Sequence, residues 1–185
     1  MKSKKKWLMA FFLMLILLSC EKKENKGSNV ENKSNTEQSE DQLVTFKDKS
    51  IERVISDFEI ISKENKIKLN NFENLKYENQ NFYMAEIASK ADSNYTISYQ
   101  GIDIKGLVLK VGVVNNSDLA MIEDMVVNLI EVSDKRIAED EARAIYTGLL
   151  SDIKEDKLSN SAKYKNGITY SIKIEKTGAL IFSAQ

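Results

Sequence analysis

Histidine is absent from the chain and cysteine occurs once. Without an imidazole there is no Ser-His-Asp or Cys-His catalysis, no His-ligated zinc and no imidazole pH switch. One cysteine allows neither an intramolecular disulfide nor a Cys-X-X-Cys site. Neither sign of charge is in excess: 27 Lys plus Arg stand against 28 Asp plus Glu, a formal −1 that gives no electrostatic reason for nucleic-acid binding. The seven glycines never take Gly-X-Gly-X-X-Gly or Walker spacing before a helix. No phosphate loop follows, and no motif asks for a cofactor. Asp92 with Asn94, and Asp152 with Asp156, lack the further oxygen ligands and the central glycine of a calcium loop.

What is present begins with Lys2, Lys4, Lys5 and Lys6, followed by an uninterrupted apolar run over 7–18 and then Ser19 and Cys20. This is the layout of an export signal. As a helix the run reaches only about 18 Å, against a hydrocarbon core of roughly 30 Å, so a stable transmembrane span is not expected. Leu17, Leu18, Ser19 and Cys20 resemble the lipobox of bacterial lipoproteins. The resemblance implies cleavage between Ser19 and Cys20, acylation of Cys20, and a mature protein held to the extracytoplasmic face of the cell membrane, with the lipid bilayer as its first partner. Two acyl chains anchor durably at about 0.8 kcal/mol per buried methylene, where one chain holds marginally. Loss of the four N-terminal lysines takes the formal charge from −1 to −5. The lipid, not the protein's own charge, must then hold the molecule to an anionic surface.

Residues 21–41 are Glu, Lys, Asn, Ser, Thr and Gln with little else, and Val30 is their one clearly apolar side chain. Such a segment cannot bury enough surface to offset its conformational entropy. It reads as a solvated tether with a contour of at most roughly 75 Å and a coil dimension nearer 25 to 30 Å, by about 5–6 Å per root residue. The expected organisation is a signal peptide over 1–19, lipidated Cys20 with its tether over 20–41, and a folded domain over 42–185.

In that domain Ile51, Val54, Ile55, Phe58 and Ile61 recur at three and four, which predicts a helix over 49–66. A polar stretch with Phe72, Leu75 and Tyr77 follows, then strands over 81–89, 94–100 and 102–114. A two-residue turn at Gln100 and Gly101 would pair Tyr99 with Ile102 and Ile97 with Ile104, and the change of phase beyond Gly106 predicts a bulge there. Leu119, Ile122, Val126 and Leu129 mark one face of a helix over 117–132. Ala142, Ile145, Tyr146, Leu149 and Ile153 mark one face of a second over 138–156.

The last strands are set by side-chain pattern. A three-residue loop at Lys165, Asn166 and Gly167 pairs Tyr164 with Ile168 and Ala162 with Tyr170. A second, at Lys176, Thr177 and Gly178, pairs Ile174 with Leu180, Ile172 with Phe182 and Tyr170 with Ala184. Both end in a glycine placed for a left-handed bulge position. The resulting face of Tyr164, Ile168, Tyr170, Ile172, Leu180 and Phe182 requires a cover. The fold class expected is α+β: antiparallel β-meanders with three helices packed on one face. Its element order is that of a degenerate duplication of a helix-plus-three-strand unit, although no residue-level repeat supports one.

Two stretches suggest a relative. Ala138, Glu139, Asp140, Glu141 and Ala142 opening a helix, followed by the Gly167 to Glu175 strand running into Lys176, Thr177 and Gly178, resemble a PepSY domain over 138–185. That resemblance implies an extracytoplasmic, non-catalytic binding or peptidase-modulating module. Among side chains with chemistry, only carboxylates remain for acid/base work, namely Glu123 with Asp124 and Asp152 with Asp156 on one helix face. They lie in runs that read as wet helix surface. Tyr77, Phe82 and Tyr83 are the candidate binding surface, because adjacent Phe82 and Tyr83 must point to opposite faces of a strand. One of the two should be exposed if the outer face is wet. The expected function is a membrane-anchored, non-enzymatic binding protein with a protein or peptide partner. An inhibitor or immunity protein against an extracellular enzyme or phage component, and a carboxylate-dependent cell-wall hydrolase, are the alternatives.

Overall fold

The computed structural model describes residues 44–185, so Ser19, Cys20 and the tether lie outside the described residues. A 3₁₀ turn, Phe46–Asp48, leads into α1, Ile51–Glu64. The Ser50 side chain caps α1 by accepting from the Arg53 amide at 3.3 Å, and Val54 and Phe58 are its buried apolar stripe. Strands β1 (Glu73–Tyr77), β2 (Gln80–Glu86), β3 (Asn94–Gln100) and β4 (Asp103–Val113) follow. Helices α2 (Leu119–Ser133) and α3 (Glu139–Ser151) come next, and β5 (Ser159–Lys163), β6 (Thr169–Ile174) and β7 (Ala179–Ala184) complete the order.

All seven strands join one antiparallel sheet in the order β1-β2-β3-β4-β7-β6-β5. The two meanders meet where β4 pairs with β7, at Leu107 with Ala184, Leu109 with Phe182 and Val111 with Leu180. Alternation puts these side chains, with Tyr95, Ile97, Tyr170 and Ile172, on the face that the helices cover. The α+β class and three-helix layer are those expected. The helices reach the sheet through specific contacts: the Phe58 ring lies 4.8 Å from that of Tyr95, and the Tyr95 hydroxyl donates to the Met125 carbonyl at 2.8 Å.

The expected C-terminal register is present in full. The Tyr164 amide donates to the Ile168 carbonyl at 2.8 Å, Ala162 opposes Tyr170, and Ile174, Ile172 and Tyr170 oppose Leu180, Phe182 and Ala184. Gly167 and Gly178 both sit at φ +82, where a β-carbon would be strained. The first hairpin differs from expectation. Gln100 pairs with Asp103, so the turn lies one residue later, at Gly101 and Ile102, and Ile102 is 87% exposed at its tip. Tyr99 then faces Ile104 and Ser98 faces Gly106, with the irregularity that skips Lys105 restoring the phase beside the expected glycine.

Three further differences have simple causes. Strand β1 was hidden in a polar stretch because an edge strand keeps few apolar side chains, and Glu73, Asn74 and Lys76 are exposed. Helix α2 is buried on more than one face, including Met125, Val127 and Ile130, because α1 and α3 flank it while the sheet lies beneath; Leu119, on the expected stripe, is 51% exposed. Helix α3 stops at Ser151, since the Ile153 amide turns back to the Leu150 carbonyl at 3.0 Å and residues 154 and 157 close a tight bridge.

Candidate binding cleft

Helix α3 lies over the edge of the sheet at β5 and leaves a cleft of about 240 Å³ beside it. From the helix come Ala144, Ile145, Gly148, Leu149 and Asp152; from the strand side, Asn160, Ser161, Ala162 and Tyr164; Tyr170 lies beneath. The helical wall is low because two of its residues are small. A β-carbon built on Gly148 would meet nothing within 4 Å. Glycine inside a helix costs about 1 kcal/mol relative to alanine. No packing contact within the fold requires it at this position.

Both ends of the cleft are tied. At one, the Tyr164 hydroxyl donates to the Glu141 carboxylate, and the Lys165 ammonium lies 2.6 Å from the same carboxylate and 5.4 Å from the centre of the Tyr164 ring. The Lys165 contact, then that of Tyr164, holds the Glu141 carboxyl below its usual range, and the same carboxylate raises the Tyr164 phenol. At the other end Asn160 Nδ2 donates to the Leu149 carbonyl at 3.1 Å and to Asp152 Oδ2 at 3.2 Å. A strand side chain thereby satisfies an orphan carbonyl in the last turn of α3. Beneath, the Tyr170 ring meets Tyr164 edge-on at 6.2 Å, and its hydroxyl bonds Ser133 Oγ at 2.7 Å; burial pushes that phenol up.

Of the residues singled out in the sequence, Asp152 lines this cleft and the others fall elsewhere. Tyr77 and Phe82 share the face away from the helices, Phe82 opposite Leu75, whereas Tyr83 points to the helix-covered face with its ring 5.5 Å from Tyr99. The three do not form one surface, and neither neighbour is exposed: Phe82 is buried and Tyr83 half-buried. Glu123 and Asp124 both pair with Arg143 at 2.8 Å, which Glu139 also engages; the Asp124 contact leads in raising the guanidinium pKa. Asp152 and Asp156 do not share a helix face, because α3 ends before both. Among the described residues no group of three Asp, Glu, Cys or His could hold a metal ion, and no helix is long and apolar enough to cross a membrane.

Of the cleft residues, only Asp152 is a candidate from the sequence; Gly148 and Asn160 carry no site assignment there, and Tyr164 and Tyr170 read as core packing. The one available signal was a lone glycine inside the 138–156 helical pattern. No family model matches the chain, and no curated protein or solved structure is significantly similar to it.

Proposed function

We propose that this is a lipid-anchored extracytoplasmic protein whose folded domain binds a ligand in the cleft between α3 and β5 without transforming it. The cleft carries the reading. Its small residues Ala144, Gly148 and Ala162 are open, while the side chains of Tyr164 and Asn160 are committed, Tyr164 to Glu141 and Asn160 to Asp152 and the Leu149 carbonyl. Such a site recognises shape and apolar surface, with a few polar groups fixing its walls. The segment resembling a PepSY domain contains every element that builds the cleft, which supports the same class of function. The anchor rests on the lipobox at Leu17 to Cys20.

Two measurements test the two halves. In the native host, Cys20→Ala should abolish acyl mass on the N-terminal peptide and move the protein out of the membrane fraction; unchanged mass and fractionation would remove the anchor. For the cleft, a ¹⁹F fragment screen on the full chain in detergent should return binders that Gly148→Phe, which fills the open position, no longer holds. A screen whose hits all ignore that substitution counts against the cleft as the site.

A further inference from the structure

The geometry points to an extended peptide segment as the cleft's occupant, added to the outer edge of β5 as a further strand with alternate side chains lying under α3. This rests on the binding reading above and names the ligand class. The bonds from the Tyr164 amide to the Ile168 carbonyl and from the Ile174 amide to the Leu158 carbonyl, both 2.8 Å, fix which residues of β5 face β6. They are the even-numbered ones, so the peptide groups of Ser159, Ser161 and Lys163 point away from the sheet. Among the described residues no further strand pairs with β5. Ser159, Ser161 and Lys163 are exposed; the Ser161 amide is held only by its neighbour's Asn160 Oδ1 at 2.9 Å, a local bond that a strand partner can replace.

A row of outward carbonyls and amides two residues apart recognises extended backbone and little else. The cleft supplies what an edge alone lacks. Ala162 of β5 and Ala144 and Gly148 of α3 border it, so a strand laid against β5 directs every second side chain into a slot with small walls. Walls this small leave room for an apolar, β-branched side chain such as valine. Residues between them lie beside Ser159, Ser161 and Lys163 on the other face, where polar side chains fit. Backbone pairing provides affinity and the slot provides selection, and the empty position at Gly148 keeps the slot open.

The test uses the full chain in detergent and the peptide acetyl-Thr-Val-Thr-Val-Thr-amide, with one twin N-methylated at its threonines and another at its valines. Binding is read by NMR shifts of the Ser159, Ser161 and Lys163 amides. One twin should lose affinity roughly tenfold or more while the other stays within about twofold, since only one set of peptide amides can face β5. Loss in the threonine set marks antiparallel addition and loss in the valine set parallel addition. Ser159→Pro, a substitution an edge strand accepts at its first residue, should weaken the parent peptide similarly. Twins that bind alike, no peptide binding, or pairing of β5 with a second copy of the chain seen by sedimentation would each overturn the inference. Fragment hits sensitive to Gly148→Phe alongside such a result would leave the binding reading standing.

Discussion

Asn166, in the turn between β5 and β6, donates through Nδ2 to Asp134 Oδ2 at 3.0 Å, tying that turn to the loop between α2 and α3. Asp134 is 1% exposed and is the hub of the tie. It also receives the Arg136 amide and Nε at 3.0 Å each and Nη2 at 2.8 Å, while residue 135 donates its amide to the Val44 carbonyl at 3.2 Å. The carboxylate therefore joins the Asn166 turn to its own loop, and the neighbouring amide ties the same loop to the start of the domain at Val44. Asp134→Ala should cost about 2 kcal/mol, the scale for removing a buried charged acceptor whose cationic partner can turn to water. The loss should show in the urea midpoint, with Asn166→Ala costing roughly half as much.

The same carboxylate sets an acid dependence. Burial opposes its ionisation, but the Arg136 and Asn166 hydrogen bonds outweigh burial and hold its pKa below the ordinary value. A depressed carboxyl contributes stability that is present above the unfolded pKa, about 4, and is lost as pH falls through the folded value. Glu141, depressed by Lys165 and Tyr164, acts in the same direction. Between pH 7 and pH 3 the urea midpoint of the native chain should fall more steeply than that of Asp134→Asn, which has no charge to lose there. Parallel slopes would refute the assignment.

Two glycines should respond to alanine with opposite signs. Gly148→Ala places a methyl in open space on a helix and should stabilise by about 0.5–1 kcal/mol. Gly167→Ala forces a β-carbon onto a residue at φ +82 and should destabilise by about 1 kcal/mol. Thermal melts of the pair, made side by side, check both.

Gly112 is a steric requirement of another kind. A β-carbon there would approach the Ala91 carbonyl oxygen to 2.5 Å, and that oxygen belongs to the backbone of the β2–β3 turn. The Gly112 amide also receives support from Ser93 Oγ, to which it donates at 3.0 Å. Gly112→Ala should destabilise by about 1–3 kcal/mol through overpacking, whereas Ser93→Ala should cost about 1 kcal/mol. Chemical unfolding distinguishes the two.

How far the fold could be read depended on how strongly local pattern constrained each part. The C-terminal hairpins were legible because shifting either turn by one residue would put Ile172 and Phe182 on the wrong face, and both loops close on a glycine. The β3–β4 hairpin was misplaced by the same reasoning. It kept Ile102 with the apolar face, whereas the structure leaves that isoleucine at an exposed tip and restores the phase by skipping Lys105. Pairing between β4 and β7 joins segments far apart in the chain, and the cleft depends on how the chain after α3 turns back to lay β5 beside it. Periodicity within either segment carries no record of such a meeting. Gly148 left a trace only because glycine interrupts a helical pattern.

The strand that closes the sheet is the last in the sequence of elements, lodged between β4 and β6 with the Gln185 amide and carbonyl bonded to Thr169 at 3.0 and 2.7 Å. A polypeptide delivered amino end first would therefore expose the seam of β4 until residues 179–184 arrive. Vectorial delivery would leave the first meander waiting for its central neighbour, and the long-range pairing of β4 with β7 would be among the last to form.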